Sequence, residues 1–395
     1  MNEITVFTGM LFKKYDKKYY CSGAFGRYID KLSEKYDRIY LCVPVKDLNN
    51  DSDINDYDIN SNNITIQELP AYNGFIGGLK NSIKIKRAIK KYSKQWRNAV
   101  YIRWPVPFSK YVYTLAKKKN IMVCFHMVGD TKTIVTNGDK YRGIKKKLAI
   151  QYANYNEIQI KKMVKNSVAL VNGSGLRRLY NSNSNNIKEI RTSTFRKDEI
   201  FYRENEILQP IKVLYVGYMR HEKGVSFLLE AIRSLNEEGL KTHLTLVGDG
   251  DKINEYKSLA SNLDIISKVE FKGHIPLGKD LLKEYRNCNV FVLPSISEGT
   301  PRVLVEAMAS GASVIATNTG GIPFTVKHGH NGLLVPVEDS DAIKDSIKQL
   351  YQERDLMKNL TENGYEFAKE NTLENHVAEV SDFIDTNLSS YIRRI

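Results

Sequence analysis

Two glutamates and a loop suited to anion binding occur together in residues 294–323, which read PSISEGTPRVLVEAMASGASVIATNTGGIP. Glu298 lies in the loop that follows an apolar strand, and Glu306 lies in the helix after that loop. The unpaired N–H groups of a first helical turn, together with the helix dipole, favour an anion. A carboxylate beside such a site repels phosphate but accepts strong hydrogen bonds from sugar hydroxyls. The alternative is a surface helix on which Arg302 and Glu306 form an i,i+4 pair.

A strand, a loop, a helix and a second strand must position these two carboxylates. We expect Thr300 to be the N-cap and Pro301 the first helical residue, because the missing N–H of proline is not needed there. The apolar side of the helix ends at Gly311, and a buried strand over 312–317 and a Gly-Gly turn follow. This order of elements is typical of a parallel α/β sheet.

Another strand–loop–helix occurs earlier, where strand 211–216 ends at Gly217 and a helix is expected over 221–235. The helix is entered through Lys223 and Gly224. A lysine at this place directs its positive charge toward the cleft above the strand ends.

The N-terminal part of the chain offers a histidine at the end of a strand. Residues 121–131 are expected to form a strand and the loop after it, and His126 lies near the carboxyl end of that strand. Ligands of open α/β sheets gather at such strand ends. Asp130 could orient this histidine or contact a second substrate. Gly23 opens a helix after the first strand, in the segment CSGAFG. A structural histidine and a helix-start glycine without a ligand are the alternatives for these positions.

The positive charge is concentrated in the N-terminal half. Residues 1–206 contain 38 lysines and arginines against 19 acidic residues, a net charge of +19, whereas the remainder carries −5. An anionic partner such as a membrane surface, a nucleic acid or an acidic acceptor is therefore expected.

The segment 74–97 is the most basic part of that half, with apolar residues near helical spacing between its lysines. It predicts a basic amphipathic helix, and we expect residues 80–97 to contact an anionic membrane surface. The alternative is a core helix whose apolar stripe packs on the sheet and whose lysines are solvated.

Length and composition fit two α/β domains in a reducing compartment. The 395 residues are 42% hydrophobic, and no apolar run approaches the length of a membrane span. The N-terminus begins a strand and does not resemble a signal peptide. The four cysteines show no metal-ligand spacing, so we expect buried thiols and no metal site. We expect the protein to be cytoplasmic and, because of its basic half, peripheral at the inner face of the cell membrane.

The pattern S-x-x-E-G-x-P-x-x-x-x-E-A-M-A-x-G at 295–311 resembles the nucleotide-sugar signature of the retaining glycosyltransferases of family 4, which have the GT-B fold. The resemblance covers about 211–371 and includes VGYMRHEKG (216–224), LTLVGDGD (244–251), VEFKGHIP (269–276) and GGIPFTVKHGHNGLLVPVED (320–339). The N-terminal half resembles the family much less.

The resemblance implies two Rossmann-like, doubly wound parallel-sheet domains facing a central cleft. Residues 1–200 would form an acceptor-side domain and residues 201–375 a nucleotide-sugar-binding domain. A C-terminal helix at 376–395 would return to the first domain.

The resemblance also assigns roles to single residues. Lys223 would neutralise the departing diphosphate, Glu306 would bind the ribose hydroxyls, and Glu298 would hold the sugar hydroxyls. Tyr218 stands where the family has an arginine, and Arg220 would compensate from two residues further on. The expected catalytic residues are His126, Glu298 and Lys223, and the expected donor-binding residues are Gly23, Arg220, Lys223, His274, Glu298, Gly299, Thr300, Pro301 and Glu306.

The activity implied is transfer of a sugar from a nucleotide diphosphate, with UDP commonest in the family, to a glycan or polyprenyl-linked acceptor in surface-polysaccharide assembly. Retention by front-face attack, without metal or other cofactor, is implied as well. Three alternatives stay open. They are a sugar-nucleotide epimerase of the same architecture, a nucleic-acid-directed transferase or binder that uses the basic half, and a non-catalytic binding module.

Overall fold

The computed structural model describes residues 2–50, 57–129, 135, 143–180, 186–203 and 208–393. The chain divides into two compact units. The first comprises residues 1–191 and 376–395, and the second comprises residues 192–375.

The first unit is built on one large, mainly parallel sheet. Its described strands are β1 (Glu3–Phe7), β2 (Phe12–Tyr15), β3 (Lys18–Cys21), β4 (Arg38–Asp47), β5 (Tyr57–Asp58), β6 (Ile64–Pro70), β7 (Ala99–Trp104), β8 (Met122–Met127), β9 (Val168–Asn172) and β10 (Ile187–Ile190). The strand order is β10-β9-β8-β7-β1-β4-β2-β3-β5, and β6 also pairs with β4. Only β3 pairs antiparallel among the described strands, with β2 and with β5.

Helices connect these strands. They are α1 (Gly23–Ser33), α2 (Gly74–Lys80), α3 (Ser82–Tyr92), α4 (Ser109–Lys118), α5 (Gly143–Lys165), α6 (Ser174–Leu179) and, at the C-terminus, α14 (Leu373–Ile392). The single helix expected over 74–97 is wrong, because a turn at Asn81 divides it into α2 and α3 and the helix ends before Trp96. Ile85, Ile89 and Trp96 are buried in the core of this unit.

Two strand segments of the first unit were not predicted from the sequence. The lysine-rich segment after β1 forms the hairpin β2–β3, whose turn residues Asp16 and Lys17 both have positive φ. Strand β10, in a polar stretch of the chain, extends the sheet beyond β9.

The second unit is a six-stranded, fully parallel sheet covered by helices. Its strands are β11 (Ile211–Val216), β12 (Thr242–Val247), β13 (Val269–Gly273), β14 (Val290–Leu293), β15 (Ser313–Thr317) and β16 (Leu333–Val335). Its helices are α7 (Val225–Glu237), α8 (Ile253–Asn262), α9 (Lys279–Asn287), α10 (Val303–Ala309), α11 (Ile322–Thr325), α12 (Ser340–Gln352) and α13 (Arg354–Glu370).

The strand order of this sheet is β13-β12-β11-β14-β15-β16. Numbered within the unit, it is 3-2-1-4-5-6, the doubly wound order of dinucleotide-binding domains. Strands such as β14 are buried along their whole length, as expected when helices cover both faces of a parallel sheet. The prediction of an α/β fold with two Rossmann-like parallel-sheet domains is confirmed.

Helix starts in the second unit lie later than predicted. The helix expected at 221–235 begins at Val225, after a single 3-10 turn over His221–Lys223 and a left-handed Gly224. No helix in the described part of the chain is long and apolar enough to cross a membrane, and all four cysteines are buried thiols.

Candidate active site

The strand order of the second unit brings two loops side by side. Strands β11 and β14 are neighbours that belong to the two halves of the sheet, and they pair through Val213 and Leu214. The loop 217–224 leaves the carboxyl end of β11, and the loop 294–302 leaves the carboxyl end of β14. Since open parallel sheets bind ligands in the crevice where the strand order reverses, this is the place at which a ligand is expected.

Lys223 and Glu298 meet in this crevice. The Lys223 Nζ lies 2.6 Å from Glu298 Oε1, and the two side chains are only 17% and 16% exposed. Glu298 Oε2 accepts a hydrogen bond of 3.2 Å from the Gly299 N–H. An ammonium group has three donors, so Lys223 retains donors beyond the one directed at Glu298. The sequence placed both residues at the site but did not predict that they pair.

Glycines allow the loops around this pair to approach one another. Gly224 has a φ of +65°, and a Cβ there would lie 2.0 Å from the carbonyl oxygen of Pro294. Gly320 has a φ of +54°, and a Cβ there would lie 1.9 Å from the carbonyl oxygen of Glu298. The Gly321 N–H donates to that same oxygen at 3.4 Å. The Gly-Gly turn after β15 therefore fixes the backbone of the loop 294–302, a role that sequence reasoning missed.

Tyr218 and Arg220 form a cation–π pair on the loop after β11. The Arg220 guanidinium lies 4.9 Å from the centroid of the Tyr218 ring, and its Nη1 lies 3.9 Å from Glu222. The backbone under the pair is fixed by two tyrosines, since Tyr215 donates to the Tyr218 carbonyl and Tyr256 to the Arg220 carbonyl, each at 2.9 Å. Tyr218, which stands where an arginine was expected, thus holds the side chain of Arg220.

Glu306 is buried in helix α10 at 5% exposure. Its two oxygens accept hydrogen bonds from Thr194 Oγ1 at 2.6 Å and from the Tyr285 hydroxyl at 2.9 Å. Burial and the nearby Glu306 carboxylate raise the pKa of Tyr285 well above its usual range, so Tyr285 stays a hydrogen-bond donor. Glu306 therefore links the segment before β11 to helix α9, and its predicted contact with ribose stays a prediction.

The start of α10 corrects the predicted cap. The helix begins at Val303 with Arg302 as its N-cap, so Thr300 is not the cap and Pro301 is not the first helical residue. The loop 299–301 packs on the Gly320–Gly321 turn, where a Cβ at Gly321 would lie 2.0 Å from the Gly299 carbonyl oxygen, and this contact keeps the loop out of the helix. His274 is exposed in the loop that follows β13.

His126 belongs to the first unit, in β8, where it is 1% exposed. Its Nδ1 is hydrogen-bonded to the Tyr101 hydroxyl, which also lies 2.9 Å from the Tyr28 hydroxyl. Its Nε2 is buried without a hydrogen-bond partner among the described residues. Burial, then the positive charge of Arg103, and then His376 hold the pKa of His126 well below its usual range, so the imidazole is neutral at physiological pH.

The surroundings of His126 were not foreseen from the sequence. The His376 ring, on α14, lies 6.3 Å from the His126 ring and 5.3 Å from the Tyr28 ring. In the sequence, only the position of His126 near the end of a strand indicated that this residue could have a functional role. Gly23 is the first residue of α1, and Asp130 lies outside the described residues. No group of three or more His, Cys, Asp or Glu residues in the described ranges could hold a metal ion.

Residues 196–367, fewer than half of the chain, match the family model Glycosyl transferases group 1. An uncharacterized glycosyltransferase of Methanocaldococcus jannaschii is 34% identical over 40% of this chain and 42% of its own length. The amylovoran biosynthesis glycosyltransferase AmsK of Erwinia amylovora is 31% identical over 36% of this chain and 37% of its own length. The chain thus spans about two-fifths of the length of these curated relatives.

Solved structures match over nearly the whole chain. Sucrose-phosphate synthase from Thermosynechococcus elongatus has a TM-score of 0.75 at 18% identity and covers 99% of this chain and 100% of its own. HepE of Anabaena, solved in complex with UDP-glucose, has a TM-score of 0.68 at 15% identity with the same coverage. These likenesses confirm the fold prediction: the chain has the GT-B fold. Within its second unit, residues 196–367 are similar to the Glycosyl transferases group 1 model.

Proposed function

We propose that the protein is a retaining glycosyltransferase that moves a sugar from a nucleotide-diphosphate donor to a glycan or lipid-linked acceptor. The observation that carries this proposal is the pairing of Lys223 with Glu298 at the switch point of the second sheet. A cation and a carboxylate in one crevice suit a ligand with a diphosphate at one end and sugar hydroxyls at the other.

In the proposed reaction the bond between the anomeric carbon and the β-phosphate oxygen breaks, and negative charge develops on the departing diphosphate. The donors of Lys223 that are not directed at Glu298 stabilise that charge. Glu298 fixes the ammonium group and accepts hydrogen bonds from sugar hydroxyls. The acceptor hydroxyl attacks from the face that the diphosphate leaves, and its proton passes to a phosphate oxygen. Retention of configuration follows from this geometry.

Arg220 supplies a second positive charge to the diphosphate, held in place by the ring of Tyr218. The expected catalytic role of His126 stays a prediction, and burial, which holds the pKa of this histidine well below its usual range, keeps its imidazole neutral at physiological pH. Lysine and arginine provide the charge that a divalent cation supplies in other transferases, so the proposed reaction is metal-independent.

The donor is proposed to be a UDP-sugar, since HepE of the same fold was solved with UDP-glucose. The acceptor is proposed to be a growing surface polysaccharide, because AmsK, which resembles the second unit, is named for amylovoran biosynthesis.

The test is an assay of nucleoside diphosphate release from UDP-, GDP- and ADP-glucose in EDTA, with water or glycan mixtures as acceptor and the product anomer read by NMR. We expect release from UDP-glucose with the donor's configuration retained. Lys223→Ala and Glu298→Ala should abolish it. Lys241→Ala, an exposed lysine that precedes β12, is the matched control and should leave it unchanged.

Three results would contradict the proposal. Full activity of Lys223→Ala would exclude a role for the Lys223 cation in the reaction. A product with inverted configuration at the anomeric carbon would exclude front-face attack. Release of an isomerised sugar nucleotide without an acceptor would indicate the epimerase instead.

A further inference from the structure

Helix α5 carries apolar side chains on two faces. The inner face is buried in the first unit through Ala153, Ile160 and Val164. The opposite face is exposed, and we call it the outer stripe. It consists of Leu148 (60% exposed), Tyr152 (47%), Tyr155 (52%) and Ile158 (54%). Their spacing of four, three and three places them on one side of the helix.

Exposed apolar residues that stand singly are ordinary, but a contiguous group marks an interaction surface. In the described part of the first unit, the other large apolar residues with high exposure are Ile83 and Ile392, on different helices. The outer stripe is therefore a local patch.

The charges on α5 indicate an anionic partner. The helix sequence contains six lysines and one acidic residue, Glu157, and the lysines stand in two groups, at 145–147 and at 161–165. Glu157 is paired with Lys161 at 2.6 Å, which leaves no uncompensated acidic group on the helix. The stripe lies between these two basic groups.

We propose that α5 is a membrane-docking helix that lies in the plane of an anionic lipid surface. Leu148 and Ile158 would enter the boundary of the acyl chains, and Tyr152 and Tyr155 would lie at the level of the headgroups. The exposed Lys147, Lys162 and Lys165 would contact lipid phosphates. A second copy of the chain is disfavoured as the occupant, because a two-fold interface would bring the two sets of lysines together.

The membrane contact proposed for α5 replaces the contact expected for residues 80–97. Ile85 and Ile89 of α3 are fully buried, so that helix retains only Ile83 as an exposed aliphatic anchor. The inference is independent of the proposed reaction, because no residue of the crevice in the second unit takes part.

The test is flotation of the full chain with vesicles of phosphatidylcholine alone or mixed with phosphatidylglycerol, at low and high salt. We expect binding to the anionic vesicles that weakens with salt. The double variant Leu148→Ser, Ile158→Ser should lower the partition coefficient by about tenfold or more. Ile83→Ser is the matched control and should bind as the unmodified chain does. Unchanged melting temperatures show that each variant is folded.

The proposal is overturned if the unmodified chain does not bind anionic vesicles, or if the double variant binds them equally well. It is also overturned if Ile83→Ser with Lys90→Glu and Lys91→Glu abolishes binding while the α5 variant retains it. A change from dimer to monomer in light scattering, with vesicle binding unaltered, would assign the outer stripe to a second copy of the chain.

Discussion

Replacing Gly320 with alanine tests whether the Gly-Gly turn fixes the loop 294–302. A Cβ at this position would lie 1.9 Å from the Glu298 carbonyl oxygen, whereas real Cβ atoms essentially never approach within 3.0 Å. The loop must therefore retreat by about 1 Å, because the partner is backbone and cannot rotate away. Gly239 is the matched control, since it also has a positive φ, +85°, but a Cβ there would meet nothing within 4 Å.

The two variants share the cost of a left-handed alanine, about 1–2 kcal/mol. Gly320→Ala adds the cost of the overlap, about 1–3 kcal/mol. Urea unfolding should show the larger loss of stability for Gly320→Ala. Because Glu298 orients Lys223, affinity for UDP in calorimetric titration should also fall by about tenfold or more, as expected for a displacement of about 1 Å. Gly239→Ala should bind UDP normally. Equal losses of stability and equal affinities for the two variants would refute the reasoning.

Three further predictions concern the buried and exposed groups of the two units. Glu306→Ala should lower the free energy of unfolding by about 1–3 kcal/mol, because it leaves the Tyr285 hydroxyl buried without its acceptor. Glu306→Gln should lower it less, and urea unfolding measures both. The free energy of unfolding should decrease as pH falls below about 6.5, because His126 takes up a proton in the unfolded state but stays neutral when it is buried in the folded state. This group contributes a slope of about 1.4 kcal/mol per pH unit. His126→Gln should flatten that slope in unfolding measured from pH 7 to pH 5. Tyr218→Ala should weaken UDP binding about two- to fivefold by releasing Arg220 from its cation–π contact, whereas Tyr218→Phe should not.

Each of these has an outcome that contradicts it. An unchanged stability of Glu306→Ala would mean that its hydrogen bonds are replaced by water. An unaltered pH slope in His126→Gln would assign the proton uptake to other groups. Equal affinities of Tyr218→Ala and Tyr218→Phe would show that the ring does not position Arg220.

The sequence predicted the α/β fold and the loops of the second unit because that information is local. Apolar runs such as 290–293 define buried strands, and glycines and prolines mark where they end. A C-terminal helix was expected at 376–395, and α14 occupies Leu373–Ile392. The hairpin β2–β3 was missed because its turn is Asp16-Lys17, which lacks the Asn-Gly or Asp-Gly signal of such turns.

Contacts between distant parts of the chain were not predictable. Lys223 and Glu298 are brought together by the strand order β11–β14, and no local pattern specifies that order. The start of α10 shifted because the Gly320–Gly321 turn packs on the preceding loop. Periodicity identified an apolar stripe on α3 but could not show that the core buries it.

The pairing of Lys223 with Glu298 in a diphosphate site is tested most directly by titrating uridine, UMP and UDP into the unmodified chain and into Lys223→Ala, in EDTA. The proposed site predicts that affinity rises from uridine to UDP in the unmodified chain. In the variant, the UDP affinity should fall by about tenfold or more, whereas uridine binding should be unchanged. Equal UDP affinities of the two forms would contradict the proposed role of Lys223 and, with it, the site.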